Sequence, residues 1–373
     1  MKLKGLLSIG FTDILGTGIS GIFWFFLATL IDPENFGEIF YFIGIASLVS
    51  YISLIGTQNT IVVYVAKKIK IQSTLNVISL VIGGISLVVI VTIFDRIDVG
   101  FLLLAFVINT LAIGDLLGRS LYSSYSKYFL IQKILTLVLG FGFYYLFGVE
   151  GIIFALAISY IVYIIRILKS FNEHKINFSL LKPRIGFITN NYMVVLLHGS
   201  KTHIDKLIIA PLLGFSLLGN YALALQIIGL MLILTTILFK YTLSQDAAGN
   251  RNSKLKKITL LISVLIAIIS YVFSPIIIPE VFPKYSDAIE AIQIMGFSII
   301  PITISTIYTS KFLGLEKSRY VLISKLISLI TIVVGTIILG SNYGITGLSF
   351  AFILSASIES LSFLLINIKV KEK

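Results

Sequence analysis

Apolar runs of about twenty residues, the length a helix needs to cross a bilayer core, follow one another along this chain with hardly a charge inside them. A soluble domain cannot be built this way. Of the 373 residues only 12% are charged, against 57% hydrophobic, and an ordinary soluble domain carries roughly a quarter charged residues to coat its surface. The mean hydropathy of +1.03 points to lipid as the solvent. The expected fold is an all-α polytopic membrane protein with about twelve transmembrane helices, at 6–31, 39–63, 74–94, 99–118, 128–147, 149–168, 187–212, 215–240, 257–279, 286–312, 319–340 and 343–367. The start resembles a signal peptide, but its apolar run continues to Ile31 with no small-x-small cleavage pattern before Asp32-Pro33, and is read as a span that stays.

The formal net charge is +12, and its distribution gives it meaning. With the N-terminus inside, Lys67-Lys68, the basic residues from Arg166 to Arg184, those from Arg251 to Lys257 and the tail from Lys369 to Lys373 share the face of Lys2 and Lys4. Only Arg96 and Lys284 fall opposite, where the loops carry Asp32, Glu34, Glu38, Asp95, Asp98, Glu150, Glu280, Asp287 and Glu290. This is the positive-inside asymmetry. It places both termini in the cytoplasm of a multi-pass cell-membrane protein and leaves a nucleic-acid partner without support. Cysteine is absent, which excludes disulfides and thiolate chemistry.

The chain also repeats itself. Ser126-Lys127-Tyr128-x-Leu130-Ile131-x-Lys133 recurs 192 positions on as Ser318-Arg319-Tyr320-x-Leu322-Ile323-x-Lys325. Gly148-x-x-Gly151-x-x-Phe154-Ala155 recurs 196 on as Gly344-x-x-Gly347-x-x-Phe350-Ala351, and Phe36-Gly37-Glu38 matches Leu218-Gly219-Asn220 more weakly. Six spans separate the copies, an even number, so the halves share one orientation and a pseudo-two-fold along the membrane normal. The expected lobes are 1–170 and 187–373, joined by a cytoplasmic linker at 171–186.

A charge at the bilayer centre costs about 2.5–3.5 kcal/mol even on lenient scales. The seventh span nevertheless holds Asn190, Asn191, His198, Lys201, His203, Asp205 and Lys206. His198, Lys201 and Asp205 lie three and four residues apart, on one helix face. They are either a functional group or, for Lys201 and Asp205, a structural ion pair. Asp13 in the first span is a candidate for proton or ion coupling, or a side chain that snorkels. Asp115 and Arg119 read as a structural pair, Glu359 as a further candidate, Lys133 and Lys325 as anchors of helix ends, and Pro301 as a kink. No metal site is expected, because His198 and His203 are five apart and point different ways. Gly16-x-Gly18-x-x-Gly21 matches a dinucleotide fingerprint but sits inside an apolar span with no preceding strand, and no P-loop is present. No cofactor is called for.

The opening Gly-rich span followed by Pro33-Glu-x-Phe36-Gly37-Glu-x-Phe-Tyr41, the stretch Ile204-Asp205-Lys206-Leu-Ile-Ile-Ala, and Leu218-Gly219-Asn220-Tyr221 after it resemble the polysaccharide flippases. These are the Wzx-type, O-antigen lipid-linked oligosaccharide translocases of the multidrug/oligosaccharidyl-lipid/polysaccharide (MOP) superfamily. The resemblance implies the two-lobed fold shared with multidrug (MATE) extruders, and cationic cavity residues that attract the pyrophosphate of a polyprenyl-linked sugar. Lys201, Lys206 and His198 are the expected substrate contacts, Asp205 a cavity residue, and Asp13 or Asp205 the coupling carboxylate. The expected activity is flipping by a monomeric transporter rather than an enzyme. A cation-exporting multidrug antiporter on the same fold is the first alternative, and a polyprenyl-dependent glycosyltransferase, whose acidic pair Asp32-Pro33-Glu34 resembles, the second.

Overall fold

The computed structural model describes residues 2–55, 57–238, 253–315 and 317–371, all-helical with no strand among them. In chain order the helices are α1 (Lys2–Leu30), α2 (Pro33–Leu54), α3 (Thr57–Ala66), α4 (Gln72–Phe94), α5 (Ile97–Gly118), α6 (Tyr122–Phe147), α7 (Gly151–Ser159), α8 (Ile164–Glu173), α9 (Ile185–Leu213), α10 (Phe215–Met231), α11 (Ser253–Val281), α12 (Ala288–Gly296), α13 (Ile299–Gly314) and α14 (Ser318–Lys371). Among the described residues eight helical segments are long and apolar enough to cross a membrane, nine when the bent pair α12 and α13 counts as one span. The segment Ser318–Lys369 is 52 residues long, enough for two crossings at about 20 residues each. It folds back at Gly344, whose φ of 56° only glycine adopts readily. α7 and α8 form one span through a 3-10 turn at Ile161–Tyr163.

Local chemistry sets the boundaries. Pro33 cannot continue α1 and suits the first position of α2. The side chain of Asp32 caps that start by accepting the Asn35 backbone N–H at 2.9 Å. The second span therefore begins at Pro33 instead of 39, and it breaks at Ile55, where φ is +44°. The bend of 44° between α12 and α13 precedes Pro301 by about one turn, where a proline removes the hydrogen bond to residue i−4.

The chain forms two compact units whose borders fall inside helices: Met1–Leu27 with Phe42–His203, and Ala28–Tyr41 with Ile204–Lys373. This partition differs from lobes of 1–170 and 187–373, since residues 28–41 and 187–203 change sides. In the first unit α5 packs against α3, α4 and α7, and α6 against α7. In the second, α13 packs on α14 and α10 on α12, around a stack of Tyr308, Phe312 and Phe363.

The repeat is physical. Thr136 and Ser159 share a hydrogen bond of 3.0 Å, and their counterparts Ser328 and Ser355 one of 2.8 Å. Gly148 and Gly344 both take positive φ. Three residues later Gly151 faces the carbonyl of Phe143, and Gly347 that of Leu339, too closely for any Cβ. The weak match at Gly37 and Gly219 is reciprocal within the second unit: a Cβ on Gly37 would lie 1.9 Å from the Phe215 carbonyl oxygen, and one on Gly219 would lie 1.8 Å from that of Pro33. Phe215 and Pro33 stand four residues before their glycines, so the two contacts are copies of each other across a local dyad.

Candidate functional site

α9 carries the polar cluster of the seventh span, and the boundary between units divides it after His203. On the second-unit side Asp205 and Lys206 are 5% and 8% exposed. The Lys206 ammonium lies 3.1 Å from Asp205 Oδ1, the Lys206 backbone N–H donates to the same oxygen at 2.8 Å, and the Tyr221 hydroxyl donates to Oδ2 at 3.2 Å. Asp205 is thus held by its chain neighbour Lys206 and by α10, a structural partnership that spacing on one helix face does not reveal. On the first-unit side Lys201 and His203 are half-buried. The His203 ring lies 6.2 Å from that of Tyr51, which fits against Gly199 where any Cβ would clash. His198 occupies the same helix, with its side chain outside the described residues.

Asp13 is half-buried in α1 and accepts the Tyr125 hydroxyl at 2.8 Å. One turn on, Gly16 leaves room for Phe129, whose ring would meet a Cβ there at 2.2 Å. Tyr125 stacks on Phe129 at 5.7 Å, and the Lys133 ammonium stands over the Phe129 ring at 5.4 Å. Asp13, Tyr125, Phe129 and Lys133 thus form a ladder along α1 and α6. Lys133 is eleven residues past the start of α6, about 16 Å along it. Its repeat counterpart Lys325 pairs with Glu359 at 3.6 Å.

Asp115 and Arg119 do pair, at 2.8 Å, within a larger network at the end of the first unit's helices. Arg166 reaches the second oxygen of Asp115, and Glu173 accepts from both arginines. The Arg119 guanidinium donates to His174 Nε2 at 3.1 Å. Partial burial first, then the Arg119 charge, hold the His174 imidazole below its usual 6.5. Only the i,i+4 pair was legible in sequence; Arg166 lies 51 residues from Asp115 and carries no local signal.

No family model and no curated protein matches the chain. Solved structures do. One described as the inward-facing conformation of a multidrug resistance MATE family transporter of the MOP superfamily is 17% identical, with a TM-score of 0.73 over 96% of this chain and 94% of that one. The lipid II flippase MurJ in an inward closed conformation gives 0.76 at 15% identity, over 96% and 87%. A MOP superfamily transporter from Pyrococcus furiosus Vc1 (DSM3638), described as having a binding pocket of reverse polarity, gives 0.61 at 16%, over 99% and 96%. The chain has the MATE/MOP transporter fold, and fold does not by itself assign a substrate.

Proposed function

We propose that this chain is a cell-membrane transporter that flips a polyprenyl-(pyro)phosphate-linked oligosaccharide from the cytoplasmic to the outer leaflet by alternating access, for cell-surface polysaccharide or glycan synthesis. It acts as a monomer with both termini in the cytoplasm. The observation that carries this reading is the charge within the helices: Lys206 is paired with Asp205 and Lys325 with Glu359, which leaves Lys133 and Lys201 against Asp13. Charges so placed are retained for function more often than for stability, and an excess of cations suits a phosphate, which charge-assisted hydrogen bonds would hold. Lys201 is the principal contact on α9. Lys206 is tied to Asp205 and sets the helix's local structure, so its charge acts on substrate as part of that pair. An inside-negative potential favours outward movement of each negative charge by about 2.3 kcal/mol per 100 mV.

One observation favours a second reading, multidrug antiport: Asp13 is a half-buried carboxylate hydrogen-bonded to Tyr125, a place for a coupling proton. Asp32, half of the acidic pair behind the glycosyltransferase reading, caps α2 by accepting the Asn35 backbone N–H and side-chain amide. The test is flipping of a dye-labelled prenyl-diphosphate oligosaccharide in vesicles by the wild type and by two variants, Lys201→Ala and the charge-matched pair Asp205→Asn with Lys206→Met. A fall of about tenfold or more for Lys201→Ala, the worth of one charged hydrogen bond, supports the cationic contact; undiminished flipping by both variants removes it.

A further inference from the structure

The two halves treat their repeated lysine differently. Lys133 and Lys325 occupy the same position of the copied segment, and the paired hydrogen bonds Thr136–Ser159 and Ser328–Ser355 fix which residues correspond on the neighbouring helical segments. In that register the counterpart of Glu359 is Tyr163. Lys325 therefore meets a carboxylate at 3.6 Å, whereas a fully buried tyrosine stands where Lys133 would find one. Among the described residues no carboxylate pairs with Lys133; its contact is the face of Phe129.

Direction along the helix matters as much. Ile134, Val138 and Tyr145 form the exposed stripe of α6. Tyr125, Gln132, Thr136 and Gly140 form its buried stripe. At 100° per residue Lys133 falls about 120° from the centre of the exposed stripe and beside the buried one. It is half-exposed there, on the border between the exposed and buried stripes. It lies between two contacts of α6 with α1, Phe129 on Gly16 and Phe23 on Gly140. An ammonium inside an apolar helix with no carboxylate beside it is costly unless an anion visits it.

We propose that Lys133 is an anion-binding residue of the first unit, taking a phosphate of the lipid-linked substrate, with Phe129 as its platform while the site is empty. Lys325, neutralised by Glu359, is the structural copy. This rests on the flippase reading above and adds a residue to it on a helix that the sequence left without a role.

The chain's single tryptophan, Trp24, sits on α1 beside Phe23 and reports on this region. Farnesyl diphosphate and inorganic pyrophosphate are titrated against the purified full-length protein, with Trp24 fluorescence as the readout. We expect Lys133→Gln to weaken both by about tenfold or more, Lys133→Arg to restore most of the affinity, and the matched pair Lys325→Gln with Glu359→Gln to change neither. In the wild type, farnesyl diphosphate protects Lys133 from acetylation, read by peptide mass spectrometry, a measurement that needs no variant. Wild-type affinity in Lys133→Gln, or no protection, overturns the assignment and leaves the flippase reading standing. A wild type that binds neither probe overturns both.

Discussion

At the scale of the residue, the membrane-buried charges differ in what they can give. The Asp205–Lys206 pair is closed by Tyr221, and removing one partner of a buried pair leaves the other uncompensated at a cost of about 3–5 kcal/mol, whereas removing both together costs far less. Lys206→Met should therefore lower the Tm in detergent by much more than the double change with Asp205→Asn, and equal losses would mean the pair is not buried. His174 gives a pH test. Its folded imidazole titrates below 6.5, so the neutral form belongs to the folded state. Its contribution is complete above about pH 6.5 and is lost as pH falls toward the folded value. The Tm should drop with pH over that window, and His174→Gln should flatten the drop. The sequence showed which residues were out of place in lipid, because that needs only hydropathy. It did not show their partners: Asp205 uses the adjacent Lys206 and a tyrosine 16 residues on, and Asp115 uses an arginine on another helix.

At the scale of the element, glycine and proline carry most of what was legible. Pro301, Gly148 and Gly344 mark a bend and turns by mechanisms visible in the residue itself, and the structure places a bend or turn at each; Pro33 starts α2 six residues before the expected 39. The break at Ile55 was not legible, since nothing in an apolar run announces that one isoleucine takes positive φ. The reciprocal glycine contacts predict that Gly219→Ala, whose Cβ would meet the Pro33 carbonyl oxygen at 1.8 Å, forces α10 from α2. The expected cost is about 1–3 kcal/mol, as for other overpacked contacts. Gly229→Ala, in the same helix with open space at its Cβ, should be neutral or slightly stabilising. Thermal unfolding of the two variants side by side checks this, and equal Tm values would contradict the close approach.

At the scale of the whole molecule, hydropathy and self-comparison sufficed for an all-helical membrane protein built from a duplicated segment, because both are properties of long stretches and survive local error. The limits of the compact units were not readable. They follow from which ends of α1, α2 and α9 pack with which neighbours, a three-dimensional matter that leaves no mark at 27–28, 41–42 or 203–204. The fold is shared by a lipid flippase and by multidrug transporters, so the substrate must be argued from charge. Wild-type protein in vesicles held at an inside-negative potential, offered a dye-labelled prenyl-diphosphate oligosaccharide in one experiment and ethidium in another, tests that argument most directly. The proposed cationic site predicts saturable flipping of the anionic lipid, faster as the potential deepens, and no transport of the dye cation; ethidium transport with no flipping would contradict it.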